Sequence, residues 1–216
     1  MPYKYILFDL DGTLTDSAEG IINSMIYALY KFNLAIPLKE VIFSRVGPPL
    51  DETFRFFGVP AEKVTEAINV YREYFAAKGI FENRVYEGIP EQLEKLRKRR
   101  ITLLVATSKP QLFARRITDK FGLSHYFDFV AGSNMNETRT AKAEVISYAL
   151  ESVGAKPYDL AVMVGDRKHD IIGAKQTGIA SAGVLYGYGG REELEEHSAD
   201  IIIPRVADIY SKLTDN

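Results

Sequence analysis

From residue 90 onward the chain repeats one pattern: a short apolar, β-rich run, then a longer stretch with helical spacing, then a glycine. Residues 90–100 read as a helix with Pro90 suited to its first turn, and residues 101–106 as a strand. Helix 111–121 closed by Gly122, strand 127–131, helix 140–153 closed by Gly154 and strand 160–164 follow in order. Helix 170–177 closed by Gly178, strand 180–185, a short strand at 201–203 and a terminal helix from Val206 complete the series. An isolated apolar run at residues 5–8 adds a first strand. Strands alternating with helices predict an α/β fold, a Rossmann-like parallel sheet with helices on both faces.

One block interrupts the alternation. Residues 16–83 show only helical spacing: Ile21, Ile22, Met25, Ile26, Ala28, Leu29 and Phe32 form one broad apolar face. A Gly47-Pro48-Pro49 break precedes a second helix from about Asp51 to Gly58, and a third spans residues 61–77. The block is predicted to be an α-helical bundle inserted as a cap domain. The catalytic core is then 1–15 with 84–216, and the linkers lie near residues 14–17 and 82–88.

Composition excludes several classes of protein. With 27 basic and 29 acidic residues the net charge is −2, which gives no global attraction to nucleic acid or to an anionic membrane. No apolar run reaches membrane-spanning length, and the first strand begins too early to leave room for a signal peptide. The chain has no cysteine, which excludes thiolate metal sites and disulfides and fits a reducing, cytoplasmic setting. The sequence sets no oligomeric state.

In an open parallel sheet, ligands bind beyond the carboxyl ends of the strands. Here those ends carry reactive groups. Strand 5–8 runs into Asp9-Leu10-Asp11-Gly12-Thr13, strand 101–106 into Thr107-Ser108-Lys109, and strand 160–164 into Gly165-Asp166 with Asp170 four residues on. Two carboxylates two residues apart at a strand end project to one side, where their repulsion calls for a cation or a shared proton. Gly12 lets the backbone turn and a ligand approach. Asp-Gly also suits a plain surface turn, but three strands delivering carboxylate, hydroxyl and amine to one edge are harder to attribute to turn chemistry. Lys142 lies in the first turn of the helix starting near Thr140, where a lysine opposes the dipole unless an anion is near; a solvated lysine is the other reading.

Asp9-Leu10-Asp11-Gly12-Thr13, Thr107, Lys142 and residues 165–170 resemble, in order and context, the four motifs of the haloacid dehalogenase-like hydrolase superfamily. The resemblance covers nearly the whole chain. The helical insert resembles the cap of the subfamily that holds phosphoglycolate phosphatases, small nucleotidases and sugar-phosphate mutases. It implies that Asp9 is the nucleophile and forms an aspartyl-phosphate. Asp11 is then the acid and base for the leaving group and the water. Mg2+ would be held by Asp9, the Asp11 backbone carbonyl and Asp166, with Asp170 supporting. Thr107 and Lys142 would hold the phosphoryl oxygens, with donors near Gly12 and Ser108. Asp11 argues against a dehalogenase, which lacks it.

Weaker features leave alternatives open. Arg45, before Gly47-Pro48-Pro49, either meets a second anionic group of the substrate or belongs to a simple connection. Asn136 and Arg139 either contact substrate or shape their loop, and residues 186–190 either line the pocket or form a flexible turn. His169 sits between motif aspartates, yet Mg2+ prefers oxygen. The implied function is a Mg2+-dependent phosphatase acting on a small phosphorylated metabolite. Phosphoglycolate is the leading substrate and a nucleoside 5′-monophosphate the next. A sugar-phosphate mutase and a non-catalytic regulatory module are the alternatives.

Overall fold

A computed structural model describes residues 3–136, 138–156 and 158–215. The elements in chain order are β1 (Tyr5–Phe8), β2 (Thr15–Asp16), α1 (Ala18–Lys31), α2 (Lys39–Phe43), α3 (Leu50–Phe56), α4 (Val64–Ala77), β3 (Arg84–Val85) and α5 (Ile89–Lys98). They continue with β4 (Thr102–Pro110), α6 (Gln111–Lys120), β5 (Phe129–Ser133), α7 (Lys142–Ser152), β6 (Ala161–Gly165) and α8 (Lys168–Thr177). The last are β7 (Ala180–Val184), α9 (Arg191–Glu196), β8 (Ile201–Ile203) and α10 (Ile209–Thr214). No helix among the described residues is long and apolar enough to cross a membrane.

The chain divides into two compact units, one running to Thr15 and resuming at Val85, the other Asp16–Arg84. The first holds a six-stranded sheet in the order β5-β4-β1-β6-β7-β8, and every pairing in it is parallel. Alternate residues of the central strands enter one apolar cluster: Leu7, Leu104, Ala106 and Met163 pack with Val145, Ile146, Ala149 and Leu150 of α7 and Ala174 of α8. The intervening residues Ile6, Phe8, Leu103, Val105, Val162 and Val164 are equally inaccessible. Since successive side chains point to opposite faces, both faces are covered, which is why the strands read as continuous apolar runs. The Rossmann-like expectation is met.

Two departures from the sequence reading matter for function. β4 does not stop at Ala106 but continues to Pro110, with its register against β5 shifting between Thr107 and Pro110. Such an irregularity re-aims side chains at a sheet rim, and here it carries Ser108 and Lys109. The second departure is the ribbon of β2 and β3, two residues each, which periodicity cannot reveal.

The helical unit is built on α1 and α4, with α3 packed on α4. Its centre contains Met25, Leu29, Phe54, Ile68 and Phe75, with Tyr71 edge-on to Phe54 and stacked on Phe75. Glu82 ties the unit together by accepting from Asn23 Nδ2 and Tyr74 Oη, each at 3.0 Å. The short α2 has one buried residue, Ile42, too few for a helical period to show.

Leu104 lies in the cluster beneath the sheet with no accessible surface. Leu104→Ala is expected to destabilise the protein by about 2–5 kcal/mol, read as a lowered midpoint in urea unfolding with an unchanged slope.

Candidate active site

In the order β5-β4-β1-β6-β7-β8, the connection leaving β1 leads to β4 on one side and the connection leaving β6 leads to β7 on the other. The crevice beyond β1 and β6 is therefore the switch point where ligands bind in such sheets. Asp9 follows β1 directly, and its N–H donates to the Val164 carbonyl of β6 at 2.9 Å. Asp166 follows β6, and Asp170 lies in the first turn of α8. The carboxylates of Asp9, Asp166 and Asp170 offer oxygens within 4.8 Å of one another.

Asp166 is wholly inaccessible and is gripped from two sides. Gly12 holds φ at 80°, and a Cβ there would stand 2.3 Å from Asp166 Oδ2; a Cβ on Gly187 would stand 2.3 Å from Asp166 Cβ. Only glycine lets both backbones come this close. The Tyr188 N–H donates to Asp166 Oδ2 at 2.7 Å, and Tyr186 Oη donates to the Thr13 carbonyl at 3.1 Å. The loop at 186–190 is thus fastened against the motif after β1. Burial raises the Asp166 pKa well above the usual carboxylate range, and the charges of Asp170 and Asp9 raise it further, against the Tyr188 amide and Arg167.

Lys142 is the first residue of α7 and is only 7% exposed, which excludes the solvated reading. Its Nζ lies 2.8 Å from Asp170 Oδ1 and 3.0 Å from Asp9 Oδ1, and donates to the Ala106 carbonyl at 3.1 Å. The two carboxylate contacts have ion-pair distance without the angles of good hydrogen bonds. Burial disfavours the ammonium, but Asp170 and Asp9 outweigh it and hold the Lys142 pKa above that of an ordinary lysine. Asp170 is pushed up to about 6 by burial and by Asp9, against the pull of Lys142. Its Oδ2 accepts the Arg167 N–H at 3.1 Å. Behind it, Glu193 Oε1 of α9 accepts from Arg167 Nε at 3.0 Å and from the Lys168 N–H at 2.8 Å.

Asp11 stands apart from the cluster of three. Its Oδ2 pairs with Lys109 Nζ at 2.6 Å, while its Oδ1 is buried without a hydrogen bond. Thr107 is buried, its Oγ1 accepting the Lys109 N–H at 3.3 Å, and Ser108 is exposed beside it. The structure thus brings Asp9, Asp11, Gly12, Thr107, Ser108, Lys142, Asp166 and Asp170 to one edge of the sheet. Arg45 belongs to the helical unit, its guanidinium 3.6 Å from the centre of the Phe56 ring. Arg139 shapes its own loop through the Gly132 carbonyl, Gln111 and Asn134, and lies over Tyr148. His169 is outside the carboxylate cluster.

Three contributors are only weakly marked in the sequence. Lys109 is visible there only as an amine at a strand end. The 186–190 loop leaves pocket lining and a flexible turn both open, because nothing local reports its contacts with Asp166. Glu193 is one acid among several on a short helix, and only the fold brings it to Arg167.

The donor set fits a hard divalent cation. Asp9, Asp166 and Asp170 gather carboxylate oxygens within 4.8 Å of one another, more acidic groups than the Lys142 ammonium paired with Asp9 and Asp170 can neutralise. Oxygen ligands gathered this closely suit Mg2+.

The model of the haloacid dehalogenase-like hydrolases matches residues 6–184. A 5'-nucleotidase of Pseudomonas aeruginosa is 45% identical over 196 residues, spanning 90% of this chain and 88% of that protein. The tyrosine-protein kinase PtkA of Mycobacterium tuberculosis is 40% identical over 199 residues, spanning 92% of this chain and 68% of its own. The crystal structure of a predicted phosphatase from Clostridium acetobutylicum superposes with a TM-score of 0.93 at 44% identity, covering 99% of each chain.

The raised carboxylates set a pH signature. An acid whose folded pKa exceeds its unfolded value stabilises the fold while protonated, and that stability is lost as pH rises from the unfolded pKa through the folded one. For Asp170 the loss runs from about 4 up to about 6. The metal-free protein should therefore lose the Asp170 contribution over this range, and added Mg2+ should compensate. The rise in melting temperature caused by Mg2+ is expected to be larger at about pH 7.5 than at about pH 5, as read by differential scanning fluorimetry in matched buffers.

Proposed function

The chain belongs to the haloacid dehalogenase-like hydrolase family, and we propose that this phosphatase is Mg2+-dependent and hydrolyses a small phosphomonoester through an aspartyl-phosphate on Asp9. The observation that carries this reading is the placement of a nucleophile-competent carboxylate, Asp9, beside a buried lysine and two further buried carboxylates. Asp9, Asp166 and Asp170 would hold Mg2+, which would supply the positive charge that lets a carboxylate approach a phosphate dianion.

Asp9 attacks phosphorus while the bond to the leaving oxygen breaks, and Asp11 gives that oxygen its proton. Lys142 and Thr107 hold the equatorial oxygens of the transferring group, where charge spreads in the transition state. Asp11, now a carboxylate, takes a proton from water as the water attacks the phosphorus of the phosphorylated Asp9. Inorganic phosphate leaves and both aspartates return to their starting state.

We infer a nucleoside 5′-monophosphate as the substrate, in preference to phosphoglycolate. The support is the 45% identity to a protein named 5'-nucleotidase along nearly its whole length. Fold likeness alone does not choose between substrates.

Phosphate release from nucleoside 5′-monophosphates, 2-phosphoglycolate, hexose phosphates and pyrophosphate, with Mg2+ and with a chelator, tests both parts. Metal-dependent release with a preference for nucleotides is expected. A preference for 2-phosphoglycolate would overturn the substrate, and isomerised hexose phosphate without phosphate release would overturn hydrolysis. Asp9→Asn should lower turnover on the order of 10³-fold or more while circular dichroism stays unchanged. An active, folded variant would rule out the aspartyl-phosphate.

A further inference from the structure

The site contains a second buried lysine whose partner is different. Lys142 sits among the carboxylates of Asp9 and Asp170, whereas Lys109 reaches Asp11. The Lys109 side chain is 7% exposed and its Nζ lies 2.6 Å from Asp11 Oδ2. It comes from the irregular stretch of β4 after Thr107, where the register against β5 slips. Its backbone is fixed as well, since its N–H donates to Thr107 Oγ1 at 3.3 Å and a Cβ on Gly132 would stand 2.5 Å from its carbonyl oxygen.

The consequence lies on Asp11. A carboxylate has two oxygens that exchange by rotation about χ2, a broad and nearly two-fold torsion. With Oδ2 paired to Lys109 Nζ, that rotation has to break the ion pair. Oδ1 is left buried and without a hydrogen bond, which is costly unless something uses it. We propose that Lys109 is the positioning residue of Asp11: it holds one carboxylate oxygen so that the other alone exchanges the proton with the leaving group and with water. The inference rests on the reading of Asp11 as the acid and base of this phosphatase. Lys109 itself touches neither the phosphoryl group nor the leaving oxygen in this scheme.

A positioning role can be separated from a merely structural one by the leaving group. A phenolate such as p-nitrophenolate departs without a proton, while the alkoxide of a nucleoside 5′-monophosphate needs one. The ratio of kcat/KM for the nucleotide to kcat/KM for p-nitrophenyl phosphate therefore reports on Asp11. It is read within one preparation, so a partly folded variant lowers both rates and leaves the ratio unmoved. Lys109→Met is expected to lower the ratio by about 10-fold or more, a part of the roughly 10²–10⁴-fold that general acid catalysis supplies, and Lys109→Arg to restore part of it. In Lys109→Met, p-nitrophenyl phosphate should also show a burst of p-nitrophenol, because attack of water on the phosphorylated Asp9 still needs the base.

Asp11→Asn is measured alongside as the reference. If Asp11→Asn lowers the ratio and Lys109→Met does not, the inference about Lys109 is overturned and the acid-base reading stands. If neither lowers it, the reading of Asp11 fails and the inference falls with it. A double variant with the same ratio as Asp11→Asn alone supports the inference, since Lys109 then acts only through Asp11.

Discussion

The arrangement of this protein follows from an electrostatic problem: acidic side chains are gathered where water cannot solvate them. Asp166 and Asp170 have almost no accessible surface, and a buried, unpaired carboxylate is among the more expensive things a fold can contain. Each neighbour of the cluster answers part of that cost. The amide of Tyr188 donates to Asp166, the amide of Arg167 donates to Asp170, and Lys142 leaves the surface to sit between Asp170 and Asp9. Two glycines let the backbone close around Asp166 where any side chain would collide. Three carboxylates against the Lys142 ammonium leave an acidic surplus that a divalent cation would neutralise.

The parallel sheet makes this gathering possible. Residues far apart in the chain meet because β1, β4 and β6 lie side by side in register and end at one edge. The apolar runs and the glycine-closed helices disclose that sheet directly, and the polar residues at the strand ends disclose where its edge is reactive. Burial is what the chain does not disclose. Nothing near Lys142 says that it will be enclosed, and the helix dipole argues mildly against it; the carboxylates that reverse that preference come from residues 9 and 170. The loop at 186–190 is similar. Its glycines and tyrosines read as a flexible turn, yet Tyr186 donates to a carbonyl 173 positions earlier and Gly187 packs against Asp166 and Gly12.

Local irregularity is the other thing periodicity misses. A strand expected to end at residue 106 runs on to Pro110 because β5 continues to pair with it after a slip. The slip has no apolar signature, since residues 107–109 are Thr, Ser and Lys in either geometry. Yet it separates a buried hydroxyl, an exposed one and a lysine aimed at Asp11. Resemblance to a family identifies the motif hydroxyl; it takes the backbone to show that the lysine two positions on pairs with Asp11.

The two lysines also bear on whether the chain turns over a substrate or only binds one. A module that held phosphate without chemistry would need cations near the anion, and Lys142 with a metal would suffice. It would gain nothing from Asp11, a further negative charge at an anion site. Holding Asp11 then requires Lys109 as a partner, and such an ion pair is often no more stable than apolar residues of the same volume. A pair that stability does not demand, at a place where it weakens anion binding, is accounted for by a step in which a proton must be given and taken back. The Asp11–Lys109 pair therefore argues for catalysis more strongly than the carboxylates of Asp9, Asp166 and Asp170 do, because those would serve a binder equally well.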